Sequence, residues 1–276
     1  MAATVLSWLA HASAGVAGGL LAKESYETYA GIPGAMDARS LGAATLLLLV
    51  SIAARAKLGD VEESAAGHTG KPVLAIDLDE CCCGYVPAFI KFMNTNHRTR
   101  LELEDFTSYM FWEVPKCGLA SREEATDRVY EFHASRFFAQ IEPLRGAKIA
   151  LDHLKQHFEL HVVTSRQADI EPQTRAFVEE HFEGTFTGLH FGNHFGRSGA
   201  KISKPDMCAK IGAVALLDDS LDYARQCAAA DLPVFLFGDY AWNRGRPGEK
   251  LDPRITRVAN WRMVAQLVTP AVIARS

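Results

Sequence analysis

Val73-Leu74-Ala75-Ile76-Asp77-Leu78-Asp79-Glu80 is an apolar run that ends by delivering two carboxylates one residue apart. A run of Val, Leu and Ile without polar alternation is the pattern of a strand buried on both faces, as in a parallel sheet covered by helices. Ligands of such sheets gather at the carboxyl ends of the strands, where Asp77 and Asp79 fall. Side chains alternate along a strand, so both acids can converge on one pocket while Leu78 turns away. Carboxylates that close raise each other's pKa and are tolerated chiefly beside a cation or where protons move. An oxygen-rich site of this kind suits Mg2+. The competing reading is that Asp79 and Glu80 cap the following helix, where carboxylates favour the N-terminal dipole. The D-x-D pattern alone leaves the two evenly matched.

Later segments shift the balance. Leu160-His-Val-Val163 ends in Thr164-Ser165-Arg166, and Ala213-Val-Ala-Leu-Leu217 ends in Asp218-Asp219-Ser220. Between them lies Lys201-Ile-Ser-Lys204-Pro205, just before a helix-like stretch. The order D-x-D, Thr or Ser, Lys, paired Asp resembles the haloacid dehalogenase superfamily of phosphatases, and the order is far more specific than any one motif. The resemblance implies that Asp77 is the nucleophile and that Asp79 is the general acid, then the base for water. It implies that Thr164 binds a phosphoryl oxygen, with Ser165 and Arg166 beside it as substrate-binding candidates, and that a Lys neutralises the transferring group. Asp218, helped by Asp219, would complete a Mg2+ site with the Asp77 carboxylate and the Asp79 backbone carbonyl. Lys201 and Lys204 both fit the lysine position; Pro205 at a first helical position would fix Lys204 at the helix start. Where the superfamily most often has Thr or Val two residues after the second Asp, this chain has Cys81.

The Asp-x-Asp-Glu sequence, the helical insertion beginning Val86-Pro-Ala-Phe-Ile, the Thr-Ser pair and Leu-Leu-Asp-Asp-Ser look like the 5′(3′)-deoxyribonucleotidase-like branch. Members of that branch carry a small helical cap between the first and second motifs. The likeness covers roughly residues 71–265 and implies a small phosphorylated substrate, with a nucleoside monophosphate as one candidate.

The interval from Asp79 to Leu160 is too long for an ordinary crossover, so it must hold extra structure. Helices over 85–96 and 121–135, with Phe106, Tyr109, Phe111 and Trp112 between them, would form a lid. Packing within the lid is the expected role of most of these aromatics, stacking on a substrate ring the alternative. Ser121-Arg-Glu-Glu124 has capping-box spacing. Strands are expected at 72–77, 159–163, 187–191, 213–217, 233–237 and 256–259, and further helices at 145–156, 170–182, 205–212, 220–229 and 260–267. This alternation predicts an α/β fold: a Rossmann-like parallel sheet with helices on both faces and a cap inserted after the first strand. The expected division is a helical segment over 1–59, a linker over 60–70, and a phosphatase domain over 71–270 with its cap at about 84–145.

At 276 residues and a formal net charge of -4, the chain has no basic footprint for nucleic acid. Six cysteines show neither C-x-x-C spacing nor a secreted framework, and Cys81-Cys82-Cys83 reads as buried small hydrophobes before it reads as a redox site. Residues 1–60 differ from the rest. Thr4–Ala22 carries no formal charge, and Leu41–Ala54 is an apolar run ending in Arg55 and Lys57. A membrane hairpin through residues 4–56, with the enzyme on the cytosolic side, is the leading expectation. A cleaved signal or organelle-targeting peptide and a soluble helical pair are the alternatives.

Other groups near the expected pocket are Arg166, which either binds a second substrate anion or pairs with Asp169 or Glu171, and Asp239 and Asn243 after the fifth strand. His190 and His194 read as loop histidines rather than metal ligands, in a glycine-rich stretch over 188–201 that would form a flexible rim loop. A tethered, non-catalytic module with a phosphatase-like fold is the alternative function. A phospho-accepting receiver domain is disfavoured, because receivers place a helix directly after the first strand's acids.

Overall fold

A computed structural model of the chain describes residues 70–275. The expected amino-terminal hairpin lies outside the described residues; within them, no helix is long and apolar enough to cross a membrane.

Six strands form one sheet: β1 (Val73–Ile76), β2 (Glu159–Thr164), β3 (Gly188–Phe191), β4 (Ala213–Asp218), β5 (Val234–Phe237) and β6 (Ile255–Val258). Their order is β3-β2-β1-β4-β5-β6, and every neighbouring pair is parallel. β1 and β5 are buried at every residue, which is why each reads as an unbroken apolar run, whereas the edge strand β3 is half-buried throughout. The chain reverses its direction of strand addition between β1 and β4. That reversal opens a crevice at the carboxyl ends of the two strands, the usual ligand position in such sheets.

Nine helices alternate with the strands among the described residues: α1 (Tyr85–Asn96), α2 (Arg122–His133), α3 (Arg136–Ala139), α4 (Ala147–Leu154), α5 (Glu171–Phe182), α6 (Lys204–Lys210), α7 (Leu221–Ala229), α8 (Trp261–Leu267) and α9 (Pro270–Ile273). The first three, with short 3-10 turns at Leu103–Asp105, Phe111–Glu113 and Pro115–Cys117, make the insertion after β1. In α1 the buried residues Val86, Phe89 and Met93 repeat at helical spacing, with Phe92 beside them. Phe89 stacks on Phe111 at 4.5 Å between ring centroids, and Phe132 of α2 meets Phe89 at 5.5 Å and Phe92 at 5.6 Å. The insertion thus has an aromatic core, and Phe106 belongs wholly to it.

Ser121 caps α2 as expected, accepting from Glu124 N at 3.2 Å, but Glu124 returns its side chain to Ala120 N rather than to the Ser121 amide. α6 begins one residue earlier than expected: Lys204 itself is the first helical residue, and Ser203 caps the helix by accepting from Asp206 N at 3.2 Å. The stretch over 188–201 is only partly a loop. Gly188–Phe191 is β3, and the turn after it is tied by Asn193, whose amide nitrogen donates to Ser198 O at 2.8 Å and Ala200 O at 3.1 Å.

Candidate active site

β1 ends at Ile76, and Asp77 N extends its ladder by donating to Leu217 O at 2.8 Å. The chain then makes a tight turn in which Cys82 N and Cys83 N both donate to Leu78 O, at 2.8 and 3.0 Å. At its apex Glu80 takes φ +56°, a left-handed conformation that a side chain adopts only when its surroundings hold it there. Three contacts do so: Glu80 N donates to Cys83 O at 2.8 Å, Tyr240 OH donates to Glu80 O at 2.9 Å, and Glu80 Oε1 accepts from Val86 N at 2.8 Å. Glu80 is therefore the cap of α1, whose own N-cap, Gly84, has no side chain to offer. Of the two acids weighed as caps of this helix, Glu80 takes the role by accepting from Val86 N.

Lys204 reaches from the start of α6 into the crevice and is completely buried. Its Nζ bonds Asp77 Oδ1, donates to Val163 O at 2.7 Å and lies 2.8 Å from Asp218 Oδ2. Burial opposes its charge, but the Asp218 and Asp77 carboxylates outweigh that and hold the ammonium well above its usual range. Burial pushes Asp77 up to about 7, Lys204 counteracting and Asp218 and Asp79 adding to the rise. The alternative lysine, Lys201, is exposed.

The paired acids at the end of β4 differ in their contacts. Asp218 is committed to Lys204 and accepts from Ser220 N at 2.8 Å through Oδ1. Asp219 turns toward Asp77. Its Oδ2 accepts from Tyr109 OH and, at 2.8 Å, from Trp242 Nε1, while Oδ1 is buried with no hydrogen-bond partner among the described residues. A carboxylate oxygen of Asp77, one of Asp219 and Cys81 Sγ all lie within 4.8 Å of one another. An orphaned carboxylate oxygen beside a second carboxylate is what a hard divalent cation would satisfy, so the residues fit Mg2+; Asp218 Oδ2 also lacks a hydrogen-bond partner among the described residues, though the Lys204 ammonium lies 2.8 Å from it. Burial and the neighbouring Asp218 and Asp77 charges push the Asp219 carboxyl far up, a strain that a cation would relieve.

At the end of β2, Thr164 is fully buried and its Oγ1 accepts from Arg166 N at 3.2 Å; Ser165 and Arg166, which follow it, line the cavity, and Thr164 does not. Arg166 pairs with neither Asp169 nor Glu171, which are engaged by Tyr130 and Arg175. It grips Asp79 instead: Nε is 3.1 Å from each carboxylate oxygen, and Nη2 is 2.7 Å from Oδ1.

The insertion roofs the crevice. Tyr109, Phe111 and Trp112 line the cavity together with Asp77, Asp79 and Asp219. Asp239 is exposed and pairs with Arg244 at 2.9 Å, away from the acids. Asn243 is fully buried, and its amide nitrogen donates to Asp219 O at 3.0 Å and Phe237 O at 2.8 Å, so it steadies the Asp219 backbone. His190 stands against His161, the facing ring nitrogens 3.0 Å apart, and His194 is held by Tyr223 OH at 2.6 Å and Ile202 O at 2.7 Å. The three consecutive cysteines are fully buried. Sequence reasoning missed Tyr223, Gln167 and Phe195, which also line the cavity. Tyr223 was recoverable as the residue one helical turn beyond Asp219; nothing local marks the other two.

Residues 71–276 match the family model described as 5′ nucleotidase, deoxy (Pyrimidine), cytosolic type C protein. Among solved structures, the chain resembles a "predicted phosphatase" from Clostridium acetobutylicum, at 13% identity and a TM-score of 0.52 over 71% of this chain and 97% of that one. It is also similar to Protein Tyrosine Kinase A of Mycobacterium tuberculosis, at 20% identity and a TM-score of 0.51 over 72% of this chain and 98% of that one. Those neighbours have different printed activities, and at such identity they testify to the fold alone. Among curated proteins, no sequence matches the chain.

Proposed function

The chain belongs to the 5′ nucleotidase, deoxy (Pyrimidine), cytosolic type C protein family and is a nucleotidase-like phosphatase, and on that premise we propose that it hydrolyses a small phosphomonoester through an aspartyl phosphate on Asp77. The observation that carries this reading is the buried Lys204 ammonium held between Asp77 and Asp218 at the reversal of the sheet. It sets a fixed positive charge beside a carboxylate, where a phosphoryl group could meet both.

In the first step an Asp77 oxygen bonds to phosphorus as the ester P–O bond breaks. The electron pair of that bond passes to the bridging oxygen, which takes a proton from the Asp79 carboxyl. In the second step the Asp79 carboxylate takes a proton from water, whose oxygen bonds to phosphorus as the bond to Asp77 breaks. Inorganic phosphate leaves, the Asp77 carboxylate is restored and Asp79 is again protonated. Ser165, on the cavity wall, supports a substrate-binding role, with Lys204 as the electrostatic partner of the transferring group. Asp77, Asp219 and the Asp79 backbone carbonyl would hold Mg2+, which when bound supplies the charge that lets an anionic nucleophile meet an anionic ester.

A nucleoside monophosphate is the substrate class that family membership and the aromatic roof of Tyr109, Phe111 and Trp112 favour. The test is Asp77→Asn with Mg2+ present: phosphate release from a panel of nucleotides and sugar phosphates is expected to fall on the order of 1,000-fold or more. Turnover at the wild-type rate would remove the nucleophile assignment. We place the amino-terminal segment at a membrane, with the phosphatase domain in the cytosol. Full release of the intact chain by alkaline carbonate would rule out a spanning hairpin, whereas retention in the pellet is the expected result.

A further inference from the structure

Arg166 is an unusual residue to find behind a general acid. Its side chain is 3% exposed, and its donors are already committed. Nε is shared between the two Asp79 oxygens at 3.1 Å each, Nη2 reaches Asp79 Oδ1 at 2.7 Å and Cys83 Sγ at 3.5 Å, and Nη1 donates to Thr174 Oγ1 at 3.0 Å. Cys83 Sγ in turn donates to Asp79 Oδ1 at 3.4 Å. The planar group also lies against the insertion: its central carbon is 5.2 Å from the centroid of the Phe138 ring and 6.0 Å from that of Tyr85. Tyr85 opens α1 and Phe138 lies in α3, so a side chain rooted at the end of β2 touches the acid of the core and two rings of the cap at once.

An arginine that greets a second anionic group of the substrate needs free donors facing the cavity. This one has spent its fork on Asp79, and two N–H bonds arriving together fix the plane of a carboxylate as one bond cannot. We propose that Arg166 is a positioning residue, which sets the orientation of the Asp79 carboxyl toward the leaving-group oxygen and ties that orientation to the seated cap. The proposal rests on the phosphatase reading above and adds to it the means by which proton delivery is aligned. Proton donation is worth about 100-fold or more where the leaving group is a poor one. It is worth little where the leaving group departs readily as an anion.

The experiment compares kcat/KM, which reports the steps up to phosphorylation of Asp77, for a nucleoside 5′-monophosphate and for p-nitrophenyl phosphate. Wild type, Arg166→Met, Arg166→Lys and Asp79→Asn are measured in the full chain with Mg2+. In Arg166→Met the alkyl ester is expected to lose about 100-fold while the aryl ester changes by no more than a few-fold. Arg166→Lys, which keeps the charge and loses the fork, is expected to show the same selective loss and stands in if the Met variant does not fold. In an Asp79→Asn background, Arg166→Lys is expected to produce no further selective loss. Equal losses on both esters would overturn the proposal in favour of a role in folding. A rise in KM for both with kcat unchanged would overturn it in favour of anion binding. Wild type inert toward every phosphoester tested would instead sink the phosphatase reading itself, an outcome distinct from a selective loss that fails to appear.

Discussion

His133, which touches the acid cluster through Tyr85 and Arg166, is placed to govern acid stability. It closes α2, is 8% exposed, and offers one ring nitrogen to Tyr85 OH at 2.8 Å while Nδ1 finds no partner among the described residues. Burial, reinforced by the nearby Arg166 charge, pushes its pKa from 6.5 down to about 4. A histidine kept neutral by the fold contributes stability that is whole above its unfolded value of 6.5 and is lost as pH falls toward 4. Between those limits wild type should lose up to about 3 kcal/mol more than His133→Gln, read by urea unfolding at fixed pH values. Identical acid slopes for the two proteins would refute the assignment. Nothing in the sequence singles out His133, because its neutrality depends on a tyrosine and an arginine that approach only in the fold. The acids at 77, 79, 218 and 219 were legible for the opposite reason: each pair lies at or just beyond the end of an apolar strand, so its position follows from the pattern of the strand. What the pattern could not supply was the difference in contacts between the two after β4: Lys204 reaches Asp218, whereas Tyr109 and Trp242 reach Asp219.

The elements most readily read from sequence are those with unbroken burial. β1 and β5 announce themselves as apolar runs, β4 does so from Ala215 onward, and α1 is found over 85–96 as its spacing predicts. The insertion hides more. α3 is four residues long, too short to show a period, and the 3-10 turns around Phe111 follow no pattern of their own. Their stability comes from tertiary contact with a cluster of rings centred on Phe132, which meets Tyr85 at 5.1 Å, Phe138 at 5.5 Å, and the two α1 phenylalanines. Phe132→Ala would open a cavity at the junction of α1, α2 and α3. The expected cost is about 3–5 kcal/mol, measured by chemical denaturation, and a cost below about 1 kcal/mol would show that these helices do not depend on a shared core. Because Tyr109 and Phe111 reach the crevice from the same insertion, that variant should also raise KM.

At the scale of the whole molecule, the placement of the site follows from topology: a sheet that adds strands in opposite directions from β1 must part its connections beside β4, and the acids at those two strand ends face each other there. Strand alternation made this foreseeable. The roof did not follow from topology, and only the excess length between Asp79 and Leu160 revealed that something had to occupy it. One last property joins the sequence to the folded domain. All six cysteines of the chain are buried thiols, three of them in the turn that follows Asp77, and residues 1–69 contain none. The molecule therefore carries its own clock for opening. A thiol-alkylating reagent can mark it only when the phosphatase domain parts, so the mass added over time counts excursions of that domain alone, whatever the amino-terminal segment is doing.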